Sequence, residues 1–114
     1  MRFAHLGVYV ADLASAAAIS KVCEAELVGQ WAITEAGLAA QEYDFAGIKI
    51  EFLRQTGRNQ LGIDHVAFAT DKFDQMKTRL LEAGAVEERQ VTGNSGQRIS
   101  FFVLNNLRIE LIEN

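Results

Sequence analysis

The chain has no proline at all in 114 residues, a single cysteine and only two histidines. Without proline, its turns must be made by Gly, Asn and Asp, the other residues that tolerate or stabilise reversed backbone. One cysteine, Cys23, excludes an intramolecular disulfide and any Cys-rich zinc site, which fits a reducing, cytoplasmic setting. On its Ala-rich segment Cys23 reads as a small buried residue rather than a nucleophile. Positive charge is also scarce: 11 Lys and Arg against 15 Asp and Glu leave a net charge of −4, and the cations are scattered. A nucleic-acid partner is therefore not expected. No apolar run is long enough to span a bilayer, and MRFAHLGVYVADL turns polar before a signal-peptide core can develop. Neither export nor a membrane partner is expected. What the chain has instead is apolar content, 49%, in a length suited to one domain with its own core.

The two histidines begin matching segments. HLGVYVADL starts at His5 and HVAFATDKF at His65, each a short apolar strand leading into a helix start. Further along, IKIEFL containing Glu51 matches LRIELI containing Glu110. The chain thus reads as one domain of two modules, residues 1–54 and 62–114, joined by the short linker 55–61. Each module is expected to run strand, helix and three strands. In the first, Phe3 to Tyr9 is the opening strand. Asp12 is the N-cap of a helix from about Leu13 to Leu27, stopped by Gly29. Strands follow at Trp31 to Thr34, Leu38 to Phe45 and Ile48 to Arg54, with reversals at Ala36-Gly37 and Ala46-Gly47. In the second, strand Ile63 to Ala69 precedes a helix from about Lys72 to Ala83. Phe73, Met76, Leu80 and Ala83 share one face of that helix, and Gly84 stops it. Strands at Val86 to Val91, Arg98 to Leu104 and Leu107 to Glu113 complete the module, with Asn105-Asn106 as a hairpin turn.

Strand side chains alternate faces. Glu51 therefore shares a face with Lys49 and Leu53, opposite Ile48, Ile50 and Phe52. Glu110 likewise shares a face with Arg108 and Ile112, opposite Ile109 and Leu111, which would pack beneath a helix. A carboxylate in mid-strand among residues built for burial is costly unless something neutralises it. The same anomaly occurs in both halves, alongside a histidine in each opening strand. Two imidazoles and two carboxylates suit one divalent cation such as Ni, Zn, Co, Fe or Mn. Lys49 and Arg108 have two open readings: they pair with carboxylates, or they bind an anionic group of a substrate. Tyr43, Phe102 and Trp31 are candidates to line a pocket, although aromatic strand residues are more often core. The two glycines of TGNSGQR serve a turn more readily than a phosphate cradle.

These matched segments resemble the vicinal-oxygen-chelate superfamily over nearly the whole chain. MRFAH, GIDHVAF and RIELIEN are most similar to glyoxalase I, and FFVLNNLRIELIEN also resembles epimerase-like members. The resemblance implies an α+β fold in which two βαβββ modules form curved, mostly antiparallel half-barrel sheets with helices on the convex side. The family's metal ligands come from the first and fourth strands of each module, which places them at His5, Glu51, His65 and Glu110. The implied activity is that of a metal-dependent isomerase or lyase of the glyoxalase I type. There Glu110, with Glu51 sharing the task, moves a proton beside a carbonyl through an enediolate held on the metal, and glutathione is the co-substrate. A methylmalonyl-CoA epimerase-like enzyme and a non-catalytic binding protein of the antibiotic-sequestering kind are the alternatives. A homodimer is implied by the same resemblance.

Overall fold

The computed structural model describes every residue, Met1–Asn114. Its elements are β1 (Arg2–Tyr9), α1 (Leu13–Val22), β2 (Glu26–Ile33), a 3-10 turn (Thr34–Ala36), β3 (Leu38–Phe45), β4 (Ile48–Gln55), β5 (Gly62–Thr70), α2 (Phe73–Glu82), β6 (Val86–Thr92), β7 (Arg98–Leu104) and β8 (Leu107–Glu113). The architecture is α+β and mostly antiparallel, the βαβββ order occurring twice. In the first set the strand order is β2-β3-β4-β1, and in the second β6-β7-β8-β5. The opening strand of each set pairs parallel to the fourth, β1 with β4 and β5 with β8, while the remaining neighbours within each set are antiparallel. Even the irregularities repeat: β2 carries a bulge between Leu27 and Gly29, and β6 one between Glu87 and Arg89. By contacts, His5–Asp64 forms one compact unit, whereas Met1–Ala4 groups with His65–Asn114. Phe3 meets Phe68 edge-on, and Arg2 donates to the Asn114 side chain. No helix is long and apolar enough to cross a membrane.

The first helix departs from expectation. Asp12 caps it, accepting from the Ala14 N–H and the Ser15 hydroxyl. However, α1 ends at Val22, not near Leu27, and β2 begins at Glu26, five residues before the expected Trp31. The stop is a Schellman turn: Glu24 N–H reaches Lys21 O and Ala25 N–H reaches Ser20 O. Glu24 takes the left-handed conformation, φ 58°, in the place where Gly84 stands at the end of α2, φ 101°. There the same pair of bonds recurs, Gly84 N–H to Leu81 O and Ala85 N–H to Leu80 O. A glutamate carries no glycine signal, so nothing in the sequence marks the earlier stop. Gly29 belongs to β2 instead. Cys23, at the C-cap, is exposed rather than buried, because the helix ends beneath it.

Each unit has its own core. In the unit containing α2, Phe102 and Leu111 pack with Phe73 and Ala85, extended by Met76, Leu80 and Leu104. The expected apolar face of α2 is thus the one that docks on β7 and β8. In the other unit, Tyr9, Ala40 and Leu53 cluster with Leu38, and the Arg58 guanidinium lies 3.5 Å above the Tyr9 ring.

Candidate metal centre

Register carries the strand alternation across each sheet. Gly7 of β1 and Glu42 of β3 both align with Glu51 of β4, so His5, Gly7, Glu42 and Glu51 share a face. In the second set, Ala67 of β5 and Phe101 of β7 align with Glu110 of β8, so His65, Ala67, Phe101 and Glu110 share a face. His5, Glu51, His65 and Glu110 are all buried, each at most 8% exposed. Burial of four ionisable side chains at matched positions requires that each be neutralised or liganded.

In the first unit the His5 imidazole lies between two carboxylates. Nε2 is 3.5 Å from Glu51 Oε1, and Nδ1 is 3.4 Å from Glu42 Oε1. These three residues can each offer a ligand atom with all such atoms within 4.8 Å of one another. The second oxygen of Glu51 accepts a hydrogen bond from Trp31 Nε1 at 2.9 Å. In the second unit, His65 Nε2 stands 3.1 Å from Glu110 Oε1, and the His65 ring meets Phe101 edge-on. Two donor atoms bound to one cation at ~2.1 Å, at angles between square and tetrahedral, lie ~3–3.5 Å apart. Both histidine–glutamate pairs have that spacing, and imidazole with carboxylate is a donor set for borderline divalent ions. The residues therefore fit a metal on chemistry and on spacing within each unit.

The other expected site residues divide. Lys49 aligns with Asp44 on the Glu51 face and is half-buried. Arg108 donates from Nε to Glu88 at 2.8 Å, and its guanidinium lies 5.4 Å from the Phe101 ring centre. Arg89 covers the same ring at 4.7 Å. Thus Phe101 carries two guanidinium groups beside the His65–Glu110 pair. Tyr43 and Phe102 do not line this surface. They occupy equivalent places, each one residue beyond the residue opposite a glutamate, and so point to the other face. Tyr43 packs against Phe52 and donates to Gln41 Oε1; Phe102 is wholly buried in the core beneath α2. Alternation corrects both pocket assignments, and Phe101 takes the position expected for Phe102. Glu42 joins the site with no sequence signal. Its counterpart in the repeat is Phe101, so the duplication that exposes the other four residues passes it over. Only its alignment with Glu51 reveals it.

Comparison with known proteins bears on the fold. No family model matches the sequence, and no curated protein matches it either. Solved structures do match. A hypothetical protein from Bacillus halodurans C-125 superposes with a TM-score of 0.80 at 17% identity, covering 99% of this chain and 94% of that one. Methylmalonyl-CoA epimerase from Mycobacterium tuberculosis gives 0.77 at 22% identity, covering 97% and 86%. The Streptomyces coelicolor epimerase, solved as a single-residue variant in complex with 2-nitronate-propionyl-CoA, gives 0.73 at 18%, covering 100% and 97%. The chain therefore shares the fold of these solved structures, and it carries the expected βαβββ order twice. Among proteins with that fold, it is similar to methylmalonyl-CoA epimerases.

Proposed function

We propose that this protein is a metal-dependent enzyme that moves a proton on the carbon beside a carbonyl, in the manner of a methylmalonyl-CoA epimerase. The observation that carries the reading is the repeated, buried histidine–glutamate pair, 3.5 Å apart in one unit and 3.1 Å in the other. Likeness to epimerase structures supports this reaction class over the glyoxalase I type suggested by MRFAH and GIDHVAF.

On this reading His5, Glu51, His65 and Glu110 would be the ligands of a divalent cation. The ion supplies Lewis-acid polarisation of the substrate carbonyl, which makes the neighbouring C–H more acidic. Glu110 takes the proton on its carboxylate, and Glu51 shares that task. Burial of both groups keeps water from competing for that proton. Arg89 and Arg108 over Phe101 offer positive charge for an anionic substrate group. A homodimer belongs to the same reading. β2 supports it, because all eight of its residues are exposed, Leu27, Val28, Trp31 and Ile33 among them.

Purified protein loaded with Co or Zn, incubated with methylmalonyl-CoA in heavy water, is expected to wash one deuterium into the acyl group and to stop doing so after chelation. Exchange that persists after complete chelation, or protein that binds no ion at any added concentration, overturns the reading. Turnover of methylglyoxal with glutathione and no exchange into the acyl-CoA moves the assignment to the glyoxalase type. Retention of an acyl-CoA at one per chain with no exchange moves it to a binding protein.

A further inference from the structure

The His5–Glu51 pair has a neighbour on β2 whose residue type the repeat does not share. Trp31 is the only tryptophan in the chain. It aligns with Ala40 of β3, which aligns in turn with Leu53 of β4. From there its indole reaches diagonally to Glu51 and donates to Oε2 at 2.9 Å. The repeat places Val91 at the same point of β6, since Trp31 aligns with Ala40 as Val91 aligns with Ile99. A valine side chain has no polar hydrogen to donate. An indole N–H is a donor only, so the bond is unambiguous: it engages one carboxylate oxygen of Glu51 and leaves Oε1 directed at His5 Nε2.

We infer that Trp31 is a positioning residue for the metal centre: its indole N–H fixes Glu51 by one oxygen and presents the other, Oε1, to the ion. This rests on the metal reading above and adds to it a residue outside the ligand set. The His5–Glu51 pair is held in advance by that donor. Partners of this kind orient a ligand and reduce the entropy lost when the ion binds, and their removal typically costs about 10–100-fold in metal affinity. Trp31 is 39% exposed at the edge of its sheet, so its role is not that of a core filler whose loss would collapse the unit.

The test uses the full chain and zinc, which is spectroscopically silent. Competition against a chromogenic chelator measures zinc affinity for the unaltered protein and for Trp31→Phe, which keeps a ring and deletes the donor. An affinity weaker by about 10–100-fold is expected for the variant, with an unchanged circular-dichroism spectrum. Because the protein has one indole, its emission reports on Trp31 directly. Zinc titration of the unaltered protein should shift that emission to saturation at the stoichiometry found by competition, and Glu51→Ala should shift it in metal-free protein. Equal zinc affinity in Trp31→Phe, or emission unmoved by saturating zinc, overturns the inference and leaves the metal reading standing. If Trp31→Phe fails to fold, the emission titration of the unaltered protein still decides. Absence of zinc binding by the unaltered protein overturns both together.

Discussion

His65 Nε2 stands 3.1 Å from Glu110 Oε1, with both side chains buried. Glu110 lies on β8 opposite Phe101, whose ring carries the Arg89 and Arg108 guanidinium groups. On the proposed reading, Glu110 thus has the strand of a ligating imidazole on one side and, on the other, a ring covered by two guanidinium groups, of which that of Arg108 is paired with Glu88. Glu110→Gln keeps the shape and removes the base. Deuterium exchange into the acyl substrate should fall by roughly 10²–10⁴-fold, the usual size of a general-base contribution. Wash-in followed by mass spectrometry measures it; an exchange rate within a few-fold of the parent protein would show that the proton goes elsewhere.

Metal should stabilise the fold as well as the chemistry. An ion that binds only the native chain adds about 2.7 kcal/mol at roughly one hundred times its dissociation constant. For a chain of this length, such a gain raises Tm by roughly ten degrees. Thermal melts with added zinc are expected to show that rise, and excess chelator to reverse it. Identical melts under both conditions would be inconsistent with ligation by the buried pairs.

Arg98 ties α2 to β8. Its guanidinium binds Asp74 at 2.8 Å and 3.1 Å and Glu113 at 2.9 Å, and it lies 4.5 Å above the Phe73 ring. Hydrogen bonds from Arg98 hold the Asp74 and Glu113 carboxyls below their ordinary values of 3.8 and 4.5, and the two carboxylates in turn raise the arginine. Depressed carboxyl values stabilise the folded chain above those ordinary values, and the contribution is lost as pH falls through the lowered ones. All three groups are solvent-accessible, so the effect is modest. Arg98→Met should flatten the acid side of a stability profile below about pH 4.5 and leave the slope near neutrality unchanged. Urea midpoints measured from about pH 2 to 7 check this; parallel profiles for parent and variant would exclude it.

Glu24 occupies a left-handed backbone position that costs a non-glycine residue about 1–2 kcal/mol. Glu24→Gly removes that strain but adds backbone freedom to the unfolded chain, so a net gain of about 0.5–1 kcal/mol is expected. A urea midpoint lower than the parent's would contradict the assigned turn.

Phe102 marks the boundary between core and site. Truncating it to alanine should cost about 3–5 kcal/mol, as for other buried aromatic residues. Phe101→Ala, on the opposite face of the same strand, should instead alter substrate affinity with a smaller loss of stability. Denaturation curves and KM values for the two variants separate these roles; a KM effect from Phe102→Ala at unchanged stability would reverse the assignment of faces.

The duplicated order of elements, the alternation around both glutamates, the helix stop at Gly84 and the four buried ionisable residues are all legible in the linear chain. Each depends on local periodicity, or on a repeat that displays the same anomaly twice. Strand alternation also assigns Ile109 and Leu111 to the opposite face from Glu110, and Leu111 lies in the core with Phe73. Tertiary structure alone decided what the repeat does not share. Glu24 ends a helix without any glycine to announce it, because backbone conformation is set there by the Schellman hydrogen bonds of the folded turn. Glu42 approaches His5, and Trp31 reaches Glu51, because register between strands distant in sequence sets those distances. Tyr43 and Phe102 turn away from the glutamates for the same reason: a step of one residue along a strand reverses the face, and only the cross-strand pairing shows which face the site occupies.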